Sequence, residues 1–269
     1  MTTLADPKPQ SWLRQILPLL ALGSICVGAI ALLQVPQLRE LQRQSEIPPV
    51  EEIRRSMEAE RVRLGLLQKV PAFGYDNLLA DWVFLNFLQY FGDEPLREKT
   101  DYTLSPDFFE VIIPRNPYFL DAYIFLSSST GMYAGQPEQS IELMNLGLES
   151  LRPEIPGSFY VWRHKGIDEL LFLGNAEAAR QSFETAAEWA EQSNDPNAEN
   201  AAYLSRQTAQ FLASNPNSKF AQVAAWTMVL SNAPDDRTRR IAVDRIRILG
   251  GDVVPQDDGS FRVIAPSED

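Results

Sequence analysis

The chain has 269 residues, with 24 basic side chains against 36 acidic ones and a net charge of −12. An acidic surface repels phosphate backbones and no basic cluster with interleaved aromatic residues occurs, so nucleic-acid binding is disfavoured. The single cysteine, Cys26, and the single histidine, His164, do not supply the set of ligands that a histidine and cysteine zinc site needs. We expect neither a metal nor a cofactor.

The first predicted element is a membrane span. Residues 16–33 are almost entirely apolar and lie between Arg14 and Arg39. A helix of this length extends about 27 Å, close to the hydrocarbon thickness of about 30 Å of a bilayer. We therefore assign residues 1–15 to an N-terminal tail and residues 16–35 to a single transmembrane helix.

Two questions about this span stay open in the sequence. The alternative to a retained anchor is a cleaved signal peptide, and the length of the apolar run favours the anchor. Basic residues nearly balance on the two sides of the run, and a small excess beyond it favours the cytoplasmic side for the domain.

Residues 36–71 are predicted to form a linker followed by a juxtamembrane helix. Pro36 marks the linker, an imperfect apolar stripe from Val50 indicates the helix, and Pro71 ends it. The charged residues of this helix are typical of a solvated stalk or a packing surface.

The most aromatic segment of the chain, residues 75–93, predicts a helix with apolar residues around nearly its whole circumference. We expect such a helix to be buried on more than one side. Asp81 and Asn86 interrupt it, and a central aspartate costs roughly 2.5–3.5 kcal/mol in a bilayer. A second membrane span is therefore not expected.

Two predicted helix pairs in the middle of the chain follow the same plan. Gly174 follows Gly135 by 39 residues, and Ala179 follows Ser140 by the same interval. A small residue lets two helices approach and a bulky neighbour fills the gap beside it, so this recurrence is typical of stacked helical hairpins. Further predicted helices extend the repeat domain over residues 72–250, and residues 251–269 form either a tail or a small hairpin.

The second pair resembles the latter half of the tetratricopeptide repeat through Gly174, Ala179, Phe183 and Ala186. The first pair matches the same motif, with small residues in place of small ones and a large residue in place of a large one. The 39-residue interval exceeds the 34 residues of that family. Together with the predicted span, the resemblance implies an all-α chain: a single N-terminal transmembrane helix followed by an α-solenoid of helical hairpins.

In a tetratricopeptide superhelix the first helix of each pair lines the concave face. The resemblance therefore implies a groove that binds an extended peptide or a helix of a partner protein. Six residues are predicted to line it: Phe125, Ser129, Tyr133, Val161, His164 and Asp168.

No nucleophile elbow, phosphate-binding glycine loop or metalloprotease motif is present, so no catalytic residue is assigned. The favoured function is a non-enzymatic scaffold, anchored in the membrane through residues 16–35, that binds a protein partner as an assembly or adaptor factor for a membrane complex. One alternative is an anchored enzyme with a site built on carboxylates. The other is a permanent accessory subunit of a membrane complex.

Overall fold

The computed structural model describes residues 49–233, 235–256 and 261–269, together with Leu32 and Gln34. The remainder of the predicted tail, span and linker lies outside the described residues. Within the described part of the chain, no helix is both long and apolar enough to cross a membrane. The chain divides between Glu52 and Ile53, and the packing described below is that of the compact unit from Ile53 onward.

The described residues are mostly helical, with eleven α-helices, two π-helices and two short strands. The helices are α1 (Val50–Lys69), α2 (Asp76–Gly92), α3 (Glu94–Thr100), α4 (Ser105–Arg115), α5 (Asp121–Leu126), π1 (Ser127–Tyr133), α6 (Pro137–Leu148), α7 (Phe159–Ile167), π2 (Asp168–Phe172), α8 (Ala176–Glu191), α9 (Ala198–Ser214), α10 (Lys219–Ser231) and α11 (Asp236–Ile248). The strands are β1 (Asp252–Pro255) and β2 (Phe261–Ile264).

A cluster of phenylalanine side chains forms the main core. The fully buried ring of Phe87 on α2 lies 4.7 Å from Phe109 and 5.7 Å from Phe108, both on α4. Burying one such side chain contributes about 1.5–3 kcal/mol to folding. Helices α2, α4, α5 and α6 are therefore held together by apolar burial.

Helix α2 is buried along one stripe only, which corrects the expectation of burial on more than one side. Ala80, Val83 and Phe87 face the core, whereas Leu78 is 65% exposed and Leu85 is 60% exposed. Helix α4 covers the buried stripe, and no described element covers the opposite one. The apolar residues around α2 thus supply both a core face and an exposed face.

The two predicted helix pairs share one turn geometry at the 39-residue offset. The amide of Ala134 donates to Ser129 O at 2.9 Å, and the amide of Leu173 donates to Asp168 O at 3.1 Å. Each bond spans five residues, one more than in an α-helix, so each first helix of a pair ends in a π-helix just before its turn glycine.

In the C-terminal part of the described chain, helices also pack on the helices next to them in sequence. Helix α8 packs against α7 and α9, and α10 packs against α11. The hydroxyl of Ser218 accepts from the amide of Ala221 at 3.1 Å and so caps the N-terminus of α10. Strands β1 and β2 pair antiparallel, with Val253 opposite Val263, and both side chains pack against the cluster around Trp226.

Candidate functional site

Four of the six residues predicted to line one groove lie inside the domain. Ser129, Val161 and Asp168 are fully buried, and His164 is 9% exposed. The physical reason is that each first helix is covered by its neighbours: α6 packs on π1, and α8 packs on α7 and π2. These positions therefore correct the expectation of an open concave surface along the first helices.

The other two predicted residues, Phe125 and Tyr133, are partly buried against aromatic side chains. The ring centroid of Phe125 lies 5.4 Å from that of Phe84 in a T-shaped arrangement, and Phe125 packs against the main core. The ring of Tyr133 stacks on Tyr102 at 4.8 Å and its hydroxyl lies 2.9 Å from Thr238 Oγ1. The structure thus distributes the six residues over separate surroundings, and contact of Phe125, Tyr133 or His164 with a partner stays a prediction.

Asp168 is the centre of a buried polar cluster. The Ser127 hydroxyl donates to one carboxyl oxygen at 2.5 Å and the Ser140 hydroxyl donates to the other at 2.6 Å. A methyl group added to Gly131 would lie 2.9 Å from the same carboxyl group, so the site has no room for a larger residue there. Burial raises the pKa of Asp168 to about 7 despite the two hydrogen bonds.

His164 lies one helical turn before Asp168, and its pKa is shifted in the opposite direction. Burial and the neighbouring guanidinium of Arg163 lower the pKa of His164 to about 4. At neutral pH the imidazole is therefore neutral. It borders a cavity of about 20 Å³, roughly one water molecule in size, together with Ser127 and Thr238.

The opposite shifts predict two opposing contributions to stability between about pH 4 and pH 6.5. Asp168 binds its proton more tightly in the folded chain, so its contribution is present below its ordinary pKa of 3.8 and is lost as the pH rises to about 7. His164 binds its proton less tightly in the folded chain, so its contribution is present above 6.5 and is lost as the pH falls to about 4. In the native chain the two contributions therefore oppose each other.

Single substitutions should reveal these contributions. In Asp168→Asn the free energy of unfolding should rise with pH more steeply than in the native chain, by up to about 1.4 kcal/mol per pH unit. In His164→Gln it should rise less steeply, or fall, by a similar amount. Chemical unfolding of each variant in detergent micelles, at several pH values between 4.5 and 6.5, measures the pH dependence of its free energy of unfolding. Profiles parallel to the native one would contradict the two shifts.

The polar cluster does not have the geometry of a hydrolytic triad. Ser127 donates directly to Asp168, and within the described residues no hydrogen bond joins His164 to either of them. The neighbouring acid, Glu169, contacts α8, where its carboxylate accepts a hydrogen bond from Ser182 Oγ at 2.6 Å. The two buried acids therefore bond to different helices rather than facing each other across a substrate site.

The described surface offers a different concave site, which we call the α11 groove. It has a volume of about 610 Å³ and is bounded by the ends of π1 and π2 and by α10 and α11. Its lining includes Tyr133, Leu171, Phe172, Trp226, Arg237 and Arg245. This size lies within the range of about 300–1,000 Å³ that is typical of binding pockets.

Aromatic side chains fix the wall of the α11 groove. The guanidinium of Arg237 lies 4.9 Å above the ring of Tyr133 and donates to the Tyr102 hydroxyl at 3.2 Å. Burial raises the pKa of Tyr133, so its hydroxyl stays protonated and can bond to Thr238. Arg237 is thus held in place by cation–π contact and a hydrogen bond.

The floor of the α11 groove is apolar and its rim is mixed. The ring centroids of Phe172 and Trp226 lie 6.1 Å apart in a T-shaped arrangement. Ile248 on the rim is 75% exposed, and the exposed acid Asp244 lies beside Arg245. Neither Arg237 nor Arg245 forms an ion pair with any carboxylate of the described residues, although the chain is strongly acidic.

No match was found when the chain was compared with protein-family models, with curated proteins and with solved structures. In the part of the chain that the structure describes, no group of three or more histidine, cysteine or acidic side chains is arranged to hold a metal ion. Among the described residues, the α11 groove combines an apolar floor with arginines that form no ion pair.

Sequence reasoning predicted Tyr133 as a groove residue but did not include its partners from α10 and α11. The available signal was the basic, amphipathic pattern of α11, in which arginines alternate with Ile241 and Ile248. That pattern indicates a helix with one apolar face. It does not indicate that Arg237 and Arg245 lie beside apolar residues of π2 and α10, because that arrangement depends on contacts between segments distant in sequence.

Proposed function

We propose that this chain is a membrane-anchored, non-enzymatic helical scaffold that holds an acidic, amphipathic segment of a partner protein in the α11 groove. Residues 16–35 serve as the anchor, and the excess of basic residues beyond them favours a cytoplasmic domain. The proposal extends to the fold: helix pairs that repeat at 39 residues suit a solenoid similar to tetratricopeptide repeats. An assembly or adaptor role for a membrane complex follows from tethering such a groove to a bilayer.

The observation that carries the proposal is Arg237, fixed on Tyr133 beside an apolar floor and without a carboxylate partner in the described residues. A guanidinium in this position favours a carboxylate from a bound segment, because it is held in place before binding and is partly screened from water. Phe172 and Trp226 provide the surface on which apolar side chains pack. Both features suit a helix that carries acidic residues beside an apolar stripe.

A second cleft differs from the α11 groove because its arginine already has a carboxylate partner. It has a volume of about 730 Å³, lies between the end of α8 and α9, and is bordered by Glu191, Glu199 and Arg206. There the guanidinium of Arg206 pairs with Glu191 at 2.6 Å. The cation is already neutralised within the chain, so this cleft has less to offer an acidic partner.

Photo-crosslinking in intact membranes tests the proposal. A photoreactive phenylalanine analogue at position 248, on the exposed rim of the groove, is compared with the same analogue at position 203, an exposed tyrosine position on α9. We expect position 248 alone to yield a crosslinked protein segment with acidic residues beside apolar residues at helical spacing. Equal yields from both positions, or adducts only with lipid or with a second copy of this chain, would overturn the proposal.

A further inference from the structure

The turn between α1 and α2 exposes a run of uncharged residues. Residues 70–75 carry no charge, and we call them the α1–α2 tip. Val70 is 47% exposed, Phe73 is 87% exposed and Tyr75 is 68% exposed. Phe73 has a φ of 51°, a left-handed conformation that is uncommon for a bulky residue. The backbone thus holds an aromatic ring in solvent at a conformational cost, which is typical of a binding loop.

Arg115, the last residue of α4, holds this turn in place. Its guanidinium donates to the carbonyl oxygens of Leu67 and Val70, each at 2.6 Å, and to a carboxyl oxygen of Asp76 at 2.8 Å. These contacts join the end of α1 to the start of α2 beneath the tip. The exposed side chains are therefore carried by an ordered backbone rather than by a loose loop.

The apolar surface continues from the tip along both helices. Leu66 lies one turn before Val70 on α1 and is 60% exposed. On α2, Leu78 is 65% exposed and Trp82 is 43% exposed, with the guanidinium of Arg63 lying 4.9 Å above the Trp82 ring. Asp81 is the exposed acid within this stripe of α2. Apart from that acid, the surface combines aliphatic, aromatic and basic groups.

We propose that the α1–α2 tip inserts into the interfacial region of a lipid bilayer. Phenylalanine, tyrosine and tryptophan side chains beside a lysine, here Lys69, are the residue types that favour the boundary between headgroups and acyl chains. This inference rests on the anchor of the proposed function, and it places a second contact of the same chain on the same bilayer.

The length of chain between the apolar run and the tip allows this contact. Residues 34–49 lie between the run and α1, and sixteen residues span at most about 55 Å when extended. Helix α1 has 20 residues and is about 30 Å long. A span at residues 16–33 therefore keeps the tip within reach of the bilayer surface, where a high local concentration of lipid favours even a weak insertion.

The charges near the tip indicate apolar rather than electrostatic binding. Asp76 is paired with Arg115, and Lys69 is the one charged residue that directly precedes the tip. An acidic chain gains little from anionic headgroups. We therefore expect insertion into vesicles of zwitterionic phosphatidylcholine, with little dependence on salt.

Depth-dependent fluorescence quenching tests the inference on the full chain. Cys26→Ser removes the single natural thiol, and Phe73→Cys then carries an environment-sensitive fluorophore. Tyr203→Cys in the same background is the matched control, because Tyr203 is also an exposed aromatic residue but lies on α9. The labelled chains are reconstituted into phosphatidylcholine vesicles that contain lipids with a nitroxide quencher on the acyl chain.

We expect quenching at position 73 to exceed that at position 203 by roughly fivefold or more, and to persist at high salt. Equal, weak quenching at both positions in chains that have entered the vesicles would overturn the insertion and leave the anchor and the α11 groove intact. Self-quenching at position 73 that grows with protein density would instead assign the tip to a second copy of this chain. Failure of the full chain to enter vesicles would overturn the anchor and the insertion together.

Discussion

Gly147→Ala is expected to lower the free energy of unfolding by about 3 kcal/mol, although alanine normally stabilises a helix. A methyl group added to Gly147 on α6 would overlap the hydroxyl of Tyr123 and lie 2.7 Å from its Cζ atom. Tyr123 cannot move aside, because it is fully buried on α5 and its hydroxyl donates to Pro117 O at 2.9 Å. Overpacking of this kind forces side chains out of their preferred rotamers.

The matched control is Gly65→Ala, on α1. Apart from its chain neighbours and the backbone of its own helix, no heavy atom of the described residues lies within 4 Å of a methyl group at Gly65. This substitution should raise the free energy of unfolding by up to about 1 kcal/mol, through helix propensity alone. Chemical unfolding of both variants in detergent micelles measures the difference. A stabilised Gly147→Ala variant would contradict the close packing of α5 on α6.

Arg115→Met should lower the free energy of unfolding by about 2–4 kcal/mol. The side chain of Arg115 is 10% exposed and satisfies the carbonyl groups of Leu67 and Val70 as well as the carboxylate of Asp76. Methionine keeps most of the packing volume but donates no hydrogen bond. The carbonyl groups at the end of α1 then lose their partner, and the α1–α2 tip loses its support.

Arg61→Met provides the control for Arg115→Met. Arg61 also contacts an acid on another helix, Asp107, but at 3.6 Å and with its side chain 48% exposed. An exposed pair of this kind contributes at most about 1 kcal/mol. If thermal or chemical unfolding shows the same loss of stability for both variants, the hydrogen bonds of Arg115 do not stabilise the fold more than an exposed ion pair does.

The helical class and several turns could be predicted because they depend on local chemistry. Gly135 and Gly174 adopt φ values of 65° and 66°, which glycine tolerates and other residues rarely do. Their 39-residue spacing therefore predicted two equivalent turns. Pro71 lies just beyond the end of α1, as expected of a residue that lacks an amide donor.

The exposed side of α2 could not be predicted from its composition. Leu78, Trp82 and Phe87 are all apolar, and a helical pattern alone does not distinguish a residue that meets α4 from one that meets solvent. The position of α4 decides this. The choice between burial and exposure is therefore a tertiary effect.

The predicted groove positions of the first helices are buried because neighbouring helices cover them. Ser127 and Asp168, the first residues of the two π-helices, meet inside the domain. The resemblance to the tetratricopeptide repeat implies a groove position for Asp168, whereas the structure buries it completely. Only Tyr133 of the predicted set lines the α11 groove.

The yield of the crosslink from position 248, measured in intact membranes, tests the central claim most directly. Arg245→Glu, on the lining of the α11 groove, should lower this yield roughly tenfold, because it places a carboxylate opposite an acidic segment. Arg239→Glu changes the net charge of the same helix equally, but Arg239 pairs with Asp236 at 2.6 Å and lies outside the groove. Its yield should stay close to that of the native chain. An equal loss in both variants, or no loss in either, would contradict the claim that the α11 groove holds an acidic partner segment.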